Sequence, residues 1–149
     1  MNILALDLAT RTGWALYENS RIESGVQVFD VKRGESPGMR YVRFNRWMNT
    51  MLDKPLDLVV FEQSHHRGGA ATEVAAGFAT RVLEWCAEKN IEHCSYHTAT
   101  IKKHACGKGN ADKDAMVAAA AVKWPSIELI DDNHADALWI LDLAISEYC

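Results

Sequence analysis

Asn2-Ile3-Leu4-Ala5-Leu6-Asp7-Leu8-Ala9-Thr10-Arg11-Thr12-Gly13-Trp14-Ala15-Leu16 is the stretch on which the reading of this chain turns. An apolar run carries one acid, Asp7, and a polar turn with Gly13 then returns the chain into a second apolar run. The pattern predicts a hairpin of two buried strands. A carboxylate inside such a strand is costly unless something pairs with it. A metal ion or a basic side chain would serve. The alternative is an Asp7 that only caps the turn at 9–13. The rest of the chain must supply partners if the acid is functional.

Working outward, residues 1–8 and 12–17 form the hairpin, and 22–31, with Ile22, Val26, Val28 and Val31, reads as a third strand. A loop at 34–38 precedes Tyr41, Phe44, Trp47, Met48, Met51 and Leu52, whose helical spacing predicts a helix over 38–52. Pro55 ends it, and the short apolar run 56–62 reads as a buried parallel strand closing on Glu62. After a polar loop, Ser64-His65-His66-Arg67-Gly68-Gly69, comes a helix marked by Val74, Ala75, Phe78, Val82 and Trp85 and ending near Lys89. Residues 91–96 form a fifth strand, a short helix starts near Thr98, and Cys106-Gly107-Lys108-Gly109-Asn110 interrupts it. Residues 111–124 are helical, and Asp131-Asp132-Asn133 opens a last helix with an N-cap and an acidic first turn. Three strands in a meander followed by helix-linked strands make an α/β chain. Its sheet is mixed and five-stranded, with helices on both faces.

The 149 residues suit one domain, 1–149, with a core of useful size. Apolar residues at 48% and charged residues at 24% match ordinary globular composition. No apolar run approaches the roughly 20 residues that span a bilayer, and the N-terminus has no signal-like pattern, so a cytoplasmic location is expected. Cys86, Cys94, Cys106 and Cys149 contain no CxxC pair and are expected to stay reduced. Cys94, His97, His104 and Cys106 match no common zinc spacing, and ordinary core and surface roles suit them better.

A net charge of −4 does not by itself mark a nucleic-acid binder. The cations are nonetheless clustered, at Lys32, Arg33, Arg40, Arg43 and Arg46, and again at Lys102, Lys103, Lys108 and Lys113. Such basic faces beside an acidic site suit a polyanionic substrate, although solvated surface charge explains any single cluster equally well. Gly107-Lys108-Gly109 lacks the spacing of a nucleotide phosphate loop. Lys102 and Lys113 can converge on a phosphate across the turn between them.

If the strands of Asp7 and Glu62 are parallel neighbours, the two acids approach each other. Asp132 and Asp136 are four residues apart and share a helix face. Taken singly, Glu62 reads as a strand-end surface acid and Asp132 as a helix cap; Asp136, inside the apolar Ala135-Asp136-Ala137-Leu138, is harder to dismiss. Four acids from three elements meeting in one place is what hard divalent cations need. Two such ions about 4 Å apart can activate a water and stabilise the leaving oxygen of a phosphodiester.

Together these motifs resemble the RuvC-type Holliday-junction resolvases over nearly the whole chain. The resemblance rests on Leu4-Ala5-Leu6-Asp7 with Thr12-Gly13-Trp14-Ala15, and on Val59-Val60-Phe61-Glu62-Gln63. It extends to Thr100-Ile101-Lys102, Gly107-Lys108-Gly109 and Ala111-Asp112-Lys113, and to Ala135-Asp136-Ala137-Leu138. It implies a ribonuclease-H-like fold, a homodimer, and cleavage of four-way or branched DNA with two Mg²⁺ or Mn²⁺ ions per site. The chain looks like a phage or prophage member, which would place it in the host cytoplasm. By motif match Asp7, Glu62 and Asp136 are catalytic metal ligands, and Lys102 and Lys113 contact DNA, with Lys108, His65 and Arg67 beside them. The family places its last two ligands three residues apart. Here that earlier position is Asn133, so Asp132 is assigned as fourth ligand, with Asn133 or His134 as substitutes. His65 stands where the family often has a base-contacting aromatic residue. His134 or His65 is a candidate for proton transfer.

The expected activity is a structure-selective endonuclease. The competing readings are a related nuclease acting on RNA or other branched DNA, a junction binder without activity, and an actin-like nucleotide-binding module suggested by Asp7-Leu8-Ala9-Thr10. That module needs two domains, and this chain has length for one.

Overall fold

The computed structural model describes residues 1–51, 53–63 and 68–149; the expectations for Leu52, His65 and Arg67 lie outside the described residues. Strands β1 (Ile3–Asp7), β2 (Arg11–Glu18) and β3 (Arg21–Val28) come first, followed by α1 (Met39–Met51) and β4 (Leu58–Glu62). Then come α2 (Ala70–Lys89), β5 (Glu92–Tyr96), α3 (Thr98–Cys106), α4 (Lys113–Lys123) and α5 (Asp132–Tyr148). The sheet order is β3-β2-β1-β4-β5. The β1–β2 and β2–β3 pairs are antiparallel, whereas β1–β4 and β4–β5 are parallel. This is the mixed sheet the sequence predicts, a ribonuclease-H-like α/β fold.

Alternation along the strands assigns each residue to one of two layers. Ile3, Ala5, Ala15, Leu58 and Val60 face α3, α4 and α5, where Ile101, Met116, Leu138 and Ile140 complete a core. Leu4, Leu6, Leu8, Leu16, Val59 and Phe61 face α1 and α2, against Phe44, Met48, Phe78 and Val82. Ile3 pairs with Leu58 and Ala5 with Val60. Continuing each strand with period two puts Asp7 and Glu62 on the α5 side, at the carboxyl ends of neighbouring parallel strands.

Two local features differ from the sequence reading. The third strand stops at Val28 rather than 31. Phe29 follows it, its amide still donating to the Thr10 carbonyl (2.8 Å) in the register of the β2–β3 ladder, and its ring packs edge-on to Phe44 and Phe78 at 5.3 and 5.4 Å. Strand alternation still places Phe29 on the α1–α2 side of the sheet, where aromatic packing holds its ring. In the early basic cluster, Arg40 donates to the Phe29 carbonyl and Arg43 to the Asp30 carbonyl and the Glu35 carboxylate. These two arginines fasten the β3–α1 connection.

Among the described residues, no helix is long and apolar enough to cross a membrane. All four cysteines are free thiols. His104 pairs with Asp142 (2.7 Å) and the Cys106 thiol lies against Ala115 and Met116, which gives both residues packing roles in place of zinc.

Candidate functional site

The turn after β1 is closed by Thr12, whose hydroxyl donates to the Ala9 carbonyl (2.6 Å), so Asp7 is not needed as its cap. Asp7 is 9% exposed. Burial raises its pKa well above the ordinary carboxylate range, and the like charges of Asp136, Glu62, Asp132 and Asp131 raise it further, in that order. Asp7 thus lies within electrostatic reach of acids from β4 and from α5.

Asp136 is pushed up to about 7, first by burial and then by Glu62 and Asp132, while Lys102 and Lys113 pull it down. The two lysines therefore flank the acids from the α3 and α4 side. Lys113 Nζ also lies 3.5 Å from Asp132. Glu62, Thr98, Ile101, Lys102, Met116 and Asp136 line a small hollow of about 30 Å³. Across Glu62, an open cleft of about 230 Å³ runs between Asp7, Leu8, Ala9 and the first turns of α2, at Ala71, Thr72 and Ala75. A larger hollow, about 420 Å³, sits at the β2–β3 turn around Glu18, Glu23 and Lys54, at the far end of β2 from the Gly13 that pairs with Asp7.

The start of α5 assigns each of its polar residues a place. Asp131, not Asp132, is the N-cap, accepting from the His134 amide (2.9 Å) and pairing with Arg11 (2.9 Å). Asp132 is left one turn before Asp136 and acts electrostatically on both Asp7 and Asp136. The Asn133 carbonyl packs on Gly13. His134, the candidate for proton transfer or ligation, spends both ring nitrogens within the fold. Its Nδ1 accepts from the Ile130 amide (3.1 Å), so Nε2 carries the proton and donates to the Ser24 hydroxyl (2.8 Å). Burial lowers its pKa against the opposing pull of Asp131, in keeping with a neutral ring. Lys108 stands exposed in the α3–α4 turn, where Gly107, at φ 78°, is the left-handed C-cap of α3.

Among the described residues, no three His, Cys, Asp or Glu side chains form a group set to hold a metal ion as they stand. The acids share an electrostatic neighbourhood without a preformed cage. Their chemistry still fits a divalent cation. They are hard oxygen donors from three elements, half-buried or buried, and the most buried of them has only like charges among the groups that shift it.

Thr98 escaped the sequence reading. Its hydroxyl donates to the Glu62 carboxylate from the first residue of α3. The one available signal is a hydroxyl two residues beyond a predicted strand end, which is too common to single out.

No protein-family model matches the chain, and neither does any curated protein sequence. Solved structures do match. RuvC of Thermus thermophilus is 18% identical, with 94% of this chain and 90% of that chain aligned. The TM-score is 0.71 for the structure of that protein alone and 0.74 for its complex with Holliday junction substrate. The yeast mitochondrial Holliday junction resolvase is 15% identical over 98% of this chain and 80% of its own, with a TM-score of 0.57. The Fowlpox virus resolvase, solved with Holliday junction DNA, is 13% identical over 97% and 99%, with a TM-score of 0.53. In fold, this chain is therefore a ribonuclease-H-like domain of the kind found in the RuvC-type Holliday-junction resolvases.

Proposed function

We propose that residues 1–149 form one nuclease domain that nicks four-way and related branched DNA by metal-dependent phosphodiester hydrolysis. The observation that carries this reading is the setting of Asp7: a buried carboxylate at the end of β1, opposed by Asp136, Glu62 and Asp132. Such a set is stable with all its members ionised only around cations. Asp7, Glu62, Asp132 and Asp136 would hold two Mg²⁺ or Mn²⁺ ions. When bound, such ions supply Lewis-acid activation of water and stabilisation of the departing oxygen.

The remaining work falls to the protein's own groups. Lys102 and Lys113, both acting on Asp136, offer positive charge to a phosphate brought to that acid. Lys108, exposed in the turn between the helices that carry them, is a further candidate for DNA contact. A homodimer suits the reaction, because two symmetric nicks need two sites related by a two-fold axis.

The test is a labelled synthetic four-way junction incubated with and without Mg²⁺, beside three-way, flap and RNA substrates. Paired nicks on the four-way junction that require Mg²⁺, and that disappear in Asp7→Asn while junction binding survives, are expected. Normal cutting by Asp7→Asn would overturn the mechanism, and preferential cutting of RNA would overturn the substrate.

A further inference from the structure

The hydrogen bond from Thr98 to Glu62 ties the start of α3 to the end of β4. Glu62 pairs with Tyr96 at the end of the β4–β5 ladder, and the next residue, Gln63, donates its amide to the Tyr96 carbonyl (2.8 Å). The strands thus stay in register through the acid itself. From Tyr96 the chain needs only His97, the extended N-cap residue, to enter α3. The Tyr96 hydroxyl is held by Glu147 of α5 (2.7 Å), which fixes this junction against the helix that carries Asp132 and Asp136. Backbone pairing therefore delivers the Thr98 side chain to Glu62. One helical turn later, on the same face of α3, comes Lys102, and both residues line the hollow with Glu62 and Asp136.

We propose that Thr98 is a positioning residue: its hydroxyl, donated to one Glu62 oxygen, would orient that carboxylate toward a divalent ion held by the acids of this site. Outer contacts of this kind orient the ligand and typically change metal affinity by about 10- to 100-fold. The proposal rests on the metal-centre reading above and adds a residue that touches neither metal nor DNA.

The test uses the full chain as Thr98→Val, which keeps the side-chain shape without the donor, and Thr98→Ser, which keeps the donor. Mn²⁺ binding is measured by calorimetry, junction binding is measured without metal, and thermal unfolding is followed with and without Mn²⁺. Thr98→Val is expected to bind Mn²⁺ about tenfold more weakly, with metal-free junction binding and metal-free unfolding close to the parent. Thr98→Ser is expected to stay within about threefold of the parent, well short of that loss. Parent-like Mn²⁺ affinity in Thr98→Val, or equal loss in both variants, would overturn the positioning role while leaving the nuclease reading intact. A parent chain that binds no Mn²⁺ would overturn both, and that outcome is visible before any variant is made.

Discussion

A Cβ placed on Gly13 would lie 1.9 Å from the Asn133 carbonyl oxygen and 2.4 Å from its carbon. Gly13 pairs with Asp7 across the β1–β2 ladder, so the missing side chain lets the first turn of α5 settle directly beside the buried acid. The obstacle is backbone, which cannot swing aside as a long side chain would. Gly13→Ala must therefore lift the N-terminus of α5, and with it Asp132 and Asp136. A loss of about 1–3 kcal/mol in urea unfolding is expected, with a fall in Mg²⁺ affinity. An alanine variant of parental stability and affinity would show that this close approach does not set the site.

The position of Asp136 makes stability depend on pH in a stated direction. Its carboxyl titrates near 7 in the folded chain, above its ordinary value of 3.8, so between those values the folded state holds the extra proton. Stability from this group falls as pH rises through that window, by at most about 1.4 kcal/mol per pH unit. The raised pKa of Asp7 acts in the same sense. The buried neutral His134 acts oppositely, because its depressed pKa removes stability as pH falls below the unfolded value of 6.5. The difference between the parent and Asp136→Asn isolates the acid. Without metal, the variant is expected to gain on the parent in melting temperature as pH goes from 5 to 7.5. A constant difference across that range would contradict the shift.

Much of this arrangement is legible in the sequence because periodicity encodes layers. The apolar runs of the first strand and of 56–62 read as buried strands that bring Asp7 and Glu62 together once they pair in parallel, and a spacing of four places Asp132 and Asp136 on one helix side. Other parts depend on choices between neighbours that periodicity does not make. Asp131 and Asp132 are chemically alike, and only the geometry of the helix start selects Asp131 as cap and leaves Asp132 to the acids. The end of the third strand at Val28 is another such choice, although Phe29 keeps the strand's alternation into the aromatic cluster between α1 and α2. His134 looks like chemistry in the sequence and serves as a strut from α5 to Ser24 of β3.

Lys102 and Lys113 are both felt by Asp136, but they are placed differently. The Lys113 side chain is 83% exposed, so its pairing with Asp132 contributes little to stability. Lys102 lines the hollow with Glu62 and Asp136. Alanine at either position is expected to lower the slope of log affinity against log salt by about 1. Lys102→Ala should also reduce the nicking rate by about a hundredfold at saturating junction, the larger effect of the two. Fluorescence titration across a salt series and single-turnover cleavage separate these contributions. Equal rate losses would mean that Lys113 also reaches the reacting phosphate.

Asp7 itself sets function against stability. In the metal-free chain it is a buried acid surrounded by acids, and asparagine keeps its shape without the charge. Asp7→Asn is therefore expected to unfold later than the metal-free parent near neutral pH, by about 0.5–2 kcal/mol. Mg²⁺ should reverse the order. At a concentration a hundred times its dissociation constant, an ion that binds only the folded parent adds about 2.7 kcal/mol. The asparagine variant, deprived of a ligand, should gain much less. Calorimetric scans of both proteins across an Mg²⁺ series test this directly. If the parent is the more stable without metal, or if Mg²⁺ raises both melting temperatures alike, Asp7 is not the acid that the ions neutralise.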